Sequence, residues 1–251
     1  MTRVRLTAVA LALAVAGCGG ADLADSTTSS TPVETTATTT QTTTTQTTAT
    51  TFAADTTTSL PGEPIDIGPR AGDTLAVVGV AHDDVLNVRI APGTDQPVVQ
   101  ELDPLSDDVV ALGKARALPA SIRLEVAAVG GSGWASSSFL AYLGGTTDET
   151  AAIAETLGET PAAETMLDLG LMVAEALASD EPPSRIVLSV APTVGDLGEV
   201  TYDVIGIGDD AVRGFRLHVF CYPDAGGEGF VLVSVEQTVL CGRGLAGELC
   251  I

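Results

Sequence analysis

Few side chains in this sequence are suited to nucleophilic or metal chemistry. Cysteine occurs at positions 18, 221, 241 and 250, and histidine only at positions 82 and 218. Two histidines provide little for imidazole general-base or zinc catalysis. Cys221 and His218 are close in sequence, but residues three apart on a strand point to opposite faces. The sequence therefore predicts no catalytic residue, no metal site and no cofactor.

Other catalytic signatures are also missing from the sequence. It contains no GxSxG nucleophile elbow, SxxK, HExxH or phosphate-binding loop. Adjacent aspartates occur at 83–84, 107–108 and 209–210, and calcium prefers about six to eight oxygen ligands. Each acidic pair lies in a predicted turn, where Asp is favoured for its local hydrogen bonds. We therefore interpret the pairs as solvated turns rather than as metal ligands.

The N-terminal residues have the features of a secretory signal. Arg3 and Arg5 precede an apolar run over residues 6–14, which is too short to span a bilayer. The segment VAGC (15–18) resembles the lipobox of bacterial lipoproteins, in which the matching cysteine is diacylated and begins the mature chain. The resemblance implies a lipoprotein signal peptide over residues 1–17. It also implies that Cys18 carries the acyl chains that anchor the protein at the extracytoplasmic face of the cell membrane.

The remaining three cysteines would lie in an oxidising compartment, where pairing is expected, but three thiols cannot all pair. If a turn is centred on Gly226, Cys241 lies roughly 33 Å beyond the position opposite Cys221, at about 3.3 Å per residue. Cys241 and Cys250 would close a loop of about ten residues, which contributes about 2–3 kcal/mol in the loop-entropy model. We predict a Cys241–Cys250 disulfide and a buried free thiol at Cys221.

Charge and composition describe the class of protein and its N-terminal part. The formal net charge is -22, and a field of that sign repels phosphate backbones, which excludes nucleic acid as a partner. Between Ser26 and Ser59, nineteen of thirty-four residues are threonine. A segment with so few apolar residues cannot build a core, so residues 18–73 are predicted to be a threonine-rich disordered stalk.

Short apolar runs separated by Gly, Pro and Asp follow the stalk, a pattern typical of strands joined by turns. Ile122, Leu124 and Val126 alternate with charged residues, as a half-buried strand requires. The pattern predicts a small all-β barrel over residues 74–145, with strands over 75–80, 85–90, 98–102, 109–112, 122–129 and 134–140.

Four segments of this region resemble the bacterial SH3 domain, namely VLNVR (85–89), APGT (91–94), SGWA (132–135) and FL (139–140). The resemblance implies an SH3-like barrel that binds peptidoglycan or a protein partner. Arg89, Asp95 and Trp134 are candidates for its ligand groove. Arg89 and Trp134 also fit a structural role, in which Arg89 pairs with an acid and Trp134 fills the core. Residues 74–145 carry four basic and eight acidic side chains, which favours amine-bearing peptide stems over anionic polymers.

The last hundred residues change to a helical period and then back to strands. Thr146 and Glu149 match a capping box for a short helix that ends at Gly158. The pair Thr160-Pro161 predicts the start of a second helix, which Pro182-Pro183 would stop. Four strands then follow over 185–190, 199–207, 212–222 and 230–240. The predicted fold class is mixed: a small all-β SH3-like barrel, then an α+β domain over 146–251 with helices followed by an antiparallel meander.

Residues 208–215 and the closing cysteine pair are similar to C-terminal domains of uncharacterised secreted bacterial proteins, a likeness that implies no activity. Taken with the anchor, the sequence predicts a lipid-anchored extracytoplasmic protein that is not an enzyme. Its SH3-like module would bind the cell envelope, through a peptidoglycan peptide or a protein partner. The alternatives are an accessory or scaffold lipoprotein of a membrane complex and, less favoured, an envelope hydrolase.

Overall fold

Antiparallel strands make up most of the structure. The computed structural model describes residues 59–227 and 229–251. Fifteen strands occur in these residues: β1 Glu63–Ile65, β2 Thr74–Val77, β3 Leu86–Arg89, β4 Val98–Leu102, β5 Val109–Leu118, β6 Ser121–Ala128, β7 Gly131–Ser136, β8 Leu140–Asp148, β9 Ala162–Ala163, β10 Arg185–Val194, β11 Gly198–Ile205, β12 Val212–Pro223, β13 Phe230–Cys241, β14 Leu245–Ala246 and β15 Leu249–Cys250. Two α-helices accompany them, α1 Thr150–Leu157 and α2 Met166–Leu177.

Thirteen of the strands belong to one sheet. Its order is β10-β11-β12-β13-β8-β2-β5-β6-β7-β3-β4, with β1 beside β5 and β9 beside β13, while β14 and β15 form a separate hairpin. All of the pairings are antiparallel. Antiparallel strands can follow one another through short turns, and six of the twelve pairings in this sheet join strands that are consecutive in sequence.

The predicted fold class, an SH3-like barrel followed by an α+β domain of helices and then a meander, is wrong. Strand β8 continues past residue 145, pairs with β2 through Leu140 and Ala141, and pairs with β13 through residues 142–148. The two predicted regions are therefore parts of one mainly antiparallel β-sheet with two short helices. Thr146 is a strand residue whose hydroxyl lies 2.8 Å from that of Thr238 on β13. This β-branched residue satisfies its polar group across the sheet rather than at a helix cap.

The helices begin later than the sequence predicts. Glu149 precedes α1 without a capping side-chain bond, and Thr165 caps α2 by accepting a hydrogen bond from the Asp168 backbone N–H at 3.1 Å. The predicted cap at Thr160-Pro161 is wrong, because the Pro161 carbonyl accepts a hydrogen bond from the Leu232 backbone N–H at 2.9 Å. That contact leads into β9, which pairs with β13.

Two buried apolar clusters stabilise the sheet. The first lies among the strands from β2 to β8 and includes Val77, Val88 and Val126, each with no exposed surface. The second lies between the helices and β11–β13 and includes Val173 and Leu217, also fully buried. A smaller cluster of Val78, Ala141 and Leu240 lies where β2, β8 and β13 meet, so apolar side chains are also buried at that junction.

The predicted signal peptide, Cys18 and most of the predicted stalk lie outside the described residues. The last part of the stalk range, residues 59–73, is described and contains β1, which pairs with β5. The Arg116 guanidinium donates hydrogen bonds to the carbonyls of Leu60, Pro61 and Gly62. These bonds hold the chain that enters β1 against the sheet.

Candidate functional site

An open cavity of about 490 Å³ lies between β3, β6 and β7 on one side and β10 on the other. Its walls include three arginines, Arg89, Arg123 and Arg185, and we call it the arginine cavity. The other lining residues are Gly79, Val80, Ala81, Asp84, Val85, Leu86, Asn87, Thr94, Ser136, Phe139 and Val187. The volume lies within the range of roughly 300–1,000 Å³ that is usual for small-ligand sites.

Arg123 is the most deeply placed charge in the cavity. It lies on β6 and is 7% exposed, and its Nε has no hydrogen-bond partner in the part of the chain that the structure describes. No acidic side chain of the described residues lies within 4.0 Å of its guanidinium. Burial, and then the positive charge of Arg89, lowers the pKa of Arg123, but an arginine side chain keeps its proton in proteins. The fold therefore buries a positive charge and leaves it without a counter-charge.

Arg89 lies on β3 and is half-buried. Its Nη1 donates a hydrogen bond to the Gln96 carbonyl at 2.6 Å, which fixes the side chain across the turn between β3 and β4. The acid that the sequence analysis expected as its partner is not there, because no carboxylate of the described residues forms a salt bridge with Arg89. Arg89 is thus oriented by a backbone carbonyl and keeps other donors of its guanidinium fork for a ligand.

Arg185 approaches the cavity from β10. Its Nη1 donates a hydrogen bond to the Gly79 carbonyl at 2.7 Å, and its guanidinium lies 5.5 Å from the centre of the Phe139 ring, within cation–π range. A Cβ at Gly79 would lie 2.5 Å from Arg185 Nη2, and Gly79 has a positive φ of 62°. Glycine at position 79 therefore permits both the backbone conformation and the close approach of the arginine.

A buried ion pair fixes the wall of the cavity that contains Gly79. Arg216 Nε and Nη2 donate to the two carboxylate oxygens of Asp203 at 2.8 and 2.9 Å, and Asp203 is fully buried. The same carboxylate accepts a hydrogen bond from the Gly79 backbone N–H at 2.7 Å, and Arg216 also donates to the Val77 carbonyl at 2.8 Å. This bidentate pair from β11 and β12 thereby positions the backbone that leads out of β2.

The charges on the cavity walls are unbalanced. Three arginines face the cavity and Asp84 is its only acidic lining residue. Asp84 is exposed, and its Oδ1 accepts a hydrogen bond from the Val85 backbone N–H at 2.8 Å. Asn87, Thr94 and Ser136 add neutral polar groups to the lining. An arrangement of unpaired guanidiniums with nearby amide and hydroxyl groups is suited to binding a carboxylate or phosphate group.

The predicted ligand groove is brought together only in part. Arg89 lines the arginine cavity. Trp134 is 3% exposed on β7, where it pairs with Arg89 of β3 and with Glu125 of β6. Asp95 is exposed in the turn after β3 and accepts a hydrogen bond from Gln96 Nε2 at 3.1 Å, and it is not among the cavity residues. Arg123 and Arg185 were not predicted as ligand residues.

The predicted disulfide is confirmed, since Cys241 and Cys250 are joined with their Cα atoms 5.1 Å apart. Cys221 is buried and free, as predicted. Its thiol lies 3.6 Å from the Gly198 carbonyl, and burial raises its pKa. His218 lies 3.4 Å from Glu199 on the neighbouring strand. Cys221 and His218 therefore contact different groups, and neither lines the arginine cavity.

A second cavity, of about 310 Å³, brings together Ser189, His82 and Asp103. These residue types can form a catalytic triad, which requires hydrogen bonds from serine to histidine and from histidine to acid. The Ser189 hydroxyl has no partner among the described residues, and no salt bridge joins His82 to Asp103. The cavity therefore lacks the geometry of a triad.

In the described part of the chain, no group of three or more His, Cys, Asp or Glu side chains is placed to hold a metal ion. No helix of those residues is both long enough and apolar enough to cross a membrane.

Comparisons with protein-family models, with curated proteins and with solved structures find no match to this chain. The chemistry of the arginine cavity therefore has to be argued from its own geometry.

Proposed function

We propose that this protein is a lipid-anchored extracytoplasmic binding protein that captures an anionic group of an envelope component in the arginine cavity. The observation that carries the proposal is Arg123, a charge that is 7% exposed, has a hydrogen-bond donor without a partner and faces an open cavity. An uncompensated buried charge is costly. A ligand that supplies the missing negative charge recovers part of that cost on binding.

The other two arginines support the same function. Arg89 and Arg185 are oriented by backbone carbonyls rather than by acids, so no acid in the described part of the chain neutralises their positive charge. The protein as a whole has a net charge of -22, and so the cavity is a local exception to the surrounding field. Long-range attraction of polyanions is weak under these conditions, and binding depends on short-range contacts inside the cavity.

The chemistry of the lining favours a binding protein over an enzyme. The cavity residues include no cysteine, no histidine and no lysine, and no hydrogen bond joins the Ser136 or Thr94 hydroxyl to a general base among the described residues. A nucleophile needs such a base within hydrogen-bond reach. The four short segments at 85–89, 91–94, 132–135 and 139–140, whose sequences resemble those of bacterial SH3 domains, support an envelope partner. The lipobox-like segment at 15–18 supports an anchor on the outer side of the membrane.

The binding proposal is tested by sedimentation of the full chain, purified in detergent, with purified bacterial cell wall. We expect co-sedimentation of the wild-type chain and about tenfold weaker binding by Arg123→Gln, because a hydrogen bond to a charged group contributes about 1.5–3 kcal/mol. Arg70→Gln is the matched control, because Arg70 is exposed and lies outside the arginine cavity. Equal binding by the three chains, or no binding by any of them, would reject the wall as the ligand of this cavity.

The anchor is tested separately by membrane fractionation of cells that express Cys18→Ser. We expect the substituted chain to be released from the membrane or to remain unprocessed, because it cannot receive acyl chains at position 18. A single acyl chain gives only marginal membrane binding, so stable anchoring depends on the lipidated residue. Unchanged membrane fractionation of a processed Cys18→Ser chain would contradict the lipoprotein proposal.

A further inference from the structure

Opposite charges line the arginine cavity without touching each other. Asp84 and the three arginines all belong to its walls, yet no guanidinium nitrogen lies within 4.0 Å of an Asp84 oxygen. Opposite charges that share a cavity normally pair when their side chains can reach each other. Here Arg185 is held by Gly79 and Phe139, and Arg89 by Gln96. The space between the acid and the arginines is therefore left for a ligand.

We propose that the arginine cavity binds a small ampholyte, that is, a molecule with both a free carboxylate and a free amine. An amino acid and a short peptide with free ends belong to this class. The carboxylate contacts Arg123 and Arg89 in the interior, and the protonated amine contacts Asp84 at the rim. This inference rests on the proposed binding function and names the class of ligand that the same site takes.

The lining favours this class over a bare inorganic anion. Val80, Val85, Val187 and Phe139 contribute apolar surface to the cavity, which suits the hydrocarbon part of an amino acid. A phosphate ion would fill little of about 490 Å³ and would bring its full negative charge towards Asp84. A planar carboxylate matches the fork of a guanidinium in a bidentate contact. The positively charged amine of the same ligand is attracted by Asp84, whereas a second negative charge would be repelled.

Asp84 retains the capacity to bind an amine. Its Oδ1 accepts the hydrogen bond from the Val85 backbone N–H, and Oδ2 has no partner among the hydrogen bonds of the described residues. The neighbouring Asp83 is also exposed but does not line the cavity. The two residues provide a matched pair of substitutions that remove the same charge at adjacent positions, only one of which faces the ligand.

The inference is tested by isothermal titration of the full chain with L-alanyl-L-alanine, its N-acetyl derivative, its C-terminal amide and inorganic phosphate. We expect the free dipeptide to bind most tightly, and loss of the carboxylate charge in the amide to weaken binding about tenfold. We expect N-acetylation to weaken it by about threefold to tenfold, because the amine contact lies at an exposed rim. Arg123→Gln should weaken binding of the dipeptide and of its N-acetyl derivative alike.

The acidic substitutions give the decisive comparison. In Asp84→Asn, the free dipeptide and its N-acetyl derivative should bind with equal affinity, whereas Asp83→Asn should preserve the preference for the free amine. If the wild-type chain binds the free dipeptide and its N-acetyl derivative with equal affinity, or binds phosphate more tightly than the dipeptide, the ampholyte proposal is wrong. The anion-binding proposal would still stand. Absence of binding by all four probes would also overturn the ampholyte proposal, and wall sedimentation with Arg123→Gln would then decide the proposed function independently. Competition by the free dipeptide in that sedimentation assay would identify wall peptides as a source of the ligand.

Discussion

At the scale of single residues, Arg123 and Arg216 show two ways of burying a guanidinium. Arg216 forms a bidentate pair with Asp203 and donates to the carbonyls of Val77 and Pro104. Among residues 59–227 and 229–251, Arg123 has no carboxylate partner, and its Nε has no hydrogen-bond partner. Both residues are less than one-tenth exposed, at 5% for Arg216 and 7% for Arg123. We therefore expect removal of the Arg216 charge to lower the free energy of unfolding, and removal of the Arg123 charge to leave it unchanged or raise it.

Arg123→Met should leave the free energy of unfolding unchanged or raise it by about 1 kcal/mol, because it removes a buried charge that nothing compensates. The same substitution should weaken ligand binding. Urea unfolding of the ligand-free chain measures the first effect and titration with the dipeptide measures the second. A loss of about 2 kcal/mol or more would show that Arg123 has a structural role and would contradict its assignment to a ligand site.

Arg216→Met should lower the free energy of unfolding by about 3–5 kcal/mol, because it leaves the Asp203 carboxylate buried and unpaired. The control is Arg243→Met, since the Arg243–Asp210 pair at 2.9 Å is 62% and 77% exposed at its two side chains. An exposed pair contributes about 0–1 kcal/mol. Urea unfolding of both variants checks the contrast, and equal effects would contradict the importance of the buried pair.

Cys221 should resist alkylation in the folded protein. Burial raises its pKa above the ordinary value of 9.0, so the reactive thiolate is disfavoured. In a Cys18→Ser chain with its disulfide intact, iodoacetamide at pH 8.5 should label Cys221 only after the chain is unfolded in urea. Because the folded pKa is raised, the stability contributed by this buried thiol is present below the unfolded pKa and is lost as the pH rises. Rapid labelling of the folded chain, measured by mass spectrometry, would contradict the burial.

At the scale of elements, the pairing of β11 with β12 depends on the absence of a side chain at one position. A Cβ at Gly214 would overlap the Val204 carbonyl oxygen on the neighbouring strand, because it would lie far closer than real Cβ atoms approach. Gly214→Ala should therefore shift the strands apart and cost about 2 kcal/mol or more. Gly195→Ala is the control, because its nearest neighbour would lie 3.9 Å away. Thermal unfolding of both variants checks the difference, and equal melting temperatures would contradict it.

Individual strands could be predicted from the sequence more easily than the way they assemble. The predicted strands over 185–190, 199–207, 212–222 and 230–240 overlap β10 to β13, because alternating apolar residues are a local signal. Residues 146–148 were predicted to begin a helix, since Thr and Glu at that spacing also match a capping box. Their pairing with Glu236, Gln237 and Thr238 is a contact between residues about ninety positions apart, and no local pattern encodes it. The error at this one strand changed the fold class.

The candidate site could not be predicted from the sequence, because it too depends on contacts between residues far apart in the chain. The balance of four basic and eight acidic residues over 74–145 favoured amine-bearing ligands, but it does not show which charges neutralise each other. Lys114 pairs with Glu125 at 2.9 Å, whereas Arg89 and Arg123 pair with no acid. Arg185 lies far away in sequence and reaches the cavity only because β10 lies beside it. The alternation along β6 placed Arg123 on the polar face, which was the one available signal.

At the scale of the whole molecule, the contacts between the two predicted domains are extensive and buried. Arg213 on β12 donates to the carbonyls of Ser137 and Leu140, Arg216 donates to that of Val77, and Arg185 donates to that of Gly79. The described residues belong to one compact unit. Interfaces of this kind, with a buried charge and buried apolar contacts, make the two parts depend on each other for stability.

We therefore expect the full chain to unfold in a single cooperative transition, with coincident curves from Trp134 fluorescence in the first part and far-ultraviolet circular dichroism of the whole. A chain cut to residues 59–145 should be much less stable than the same residues in the full protein. The cut removes β13 from β8 and exposes Val78 and Ala141, which are 0% and 1% exposed in the intact structure. It also removes Arg185, Arg213 and Arg216, which donate hydrogen bonds to backbone carbonyls of residues 77–140. Two separate transitions in the full chain, or a fragment that unfolds at the same urea concentration, would show that residues 74–145 fold as an autonomous domain after all.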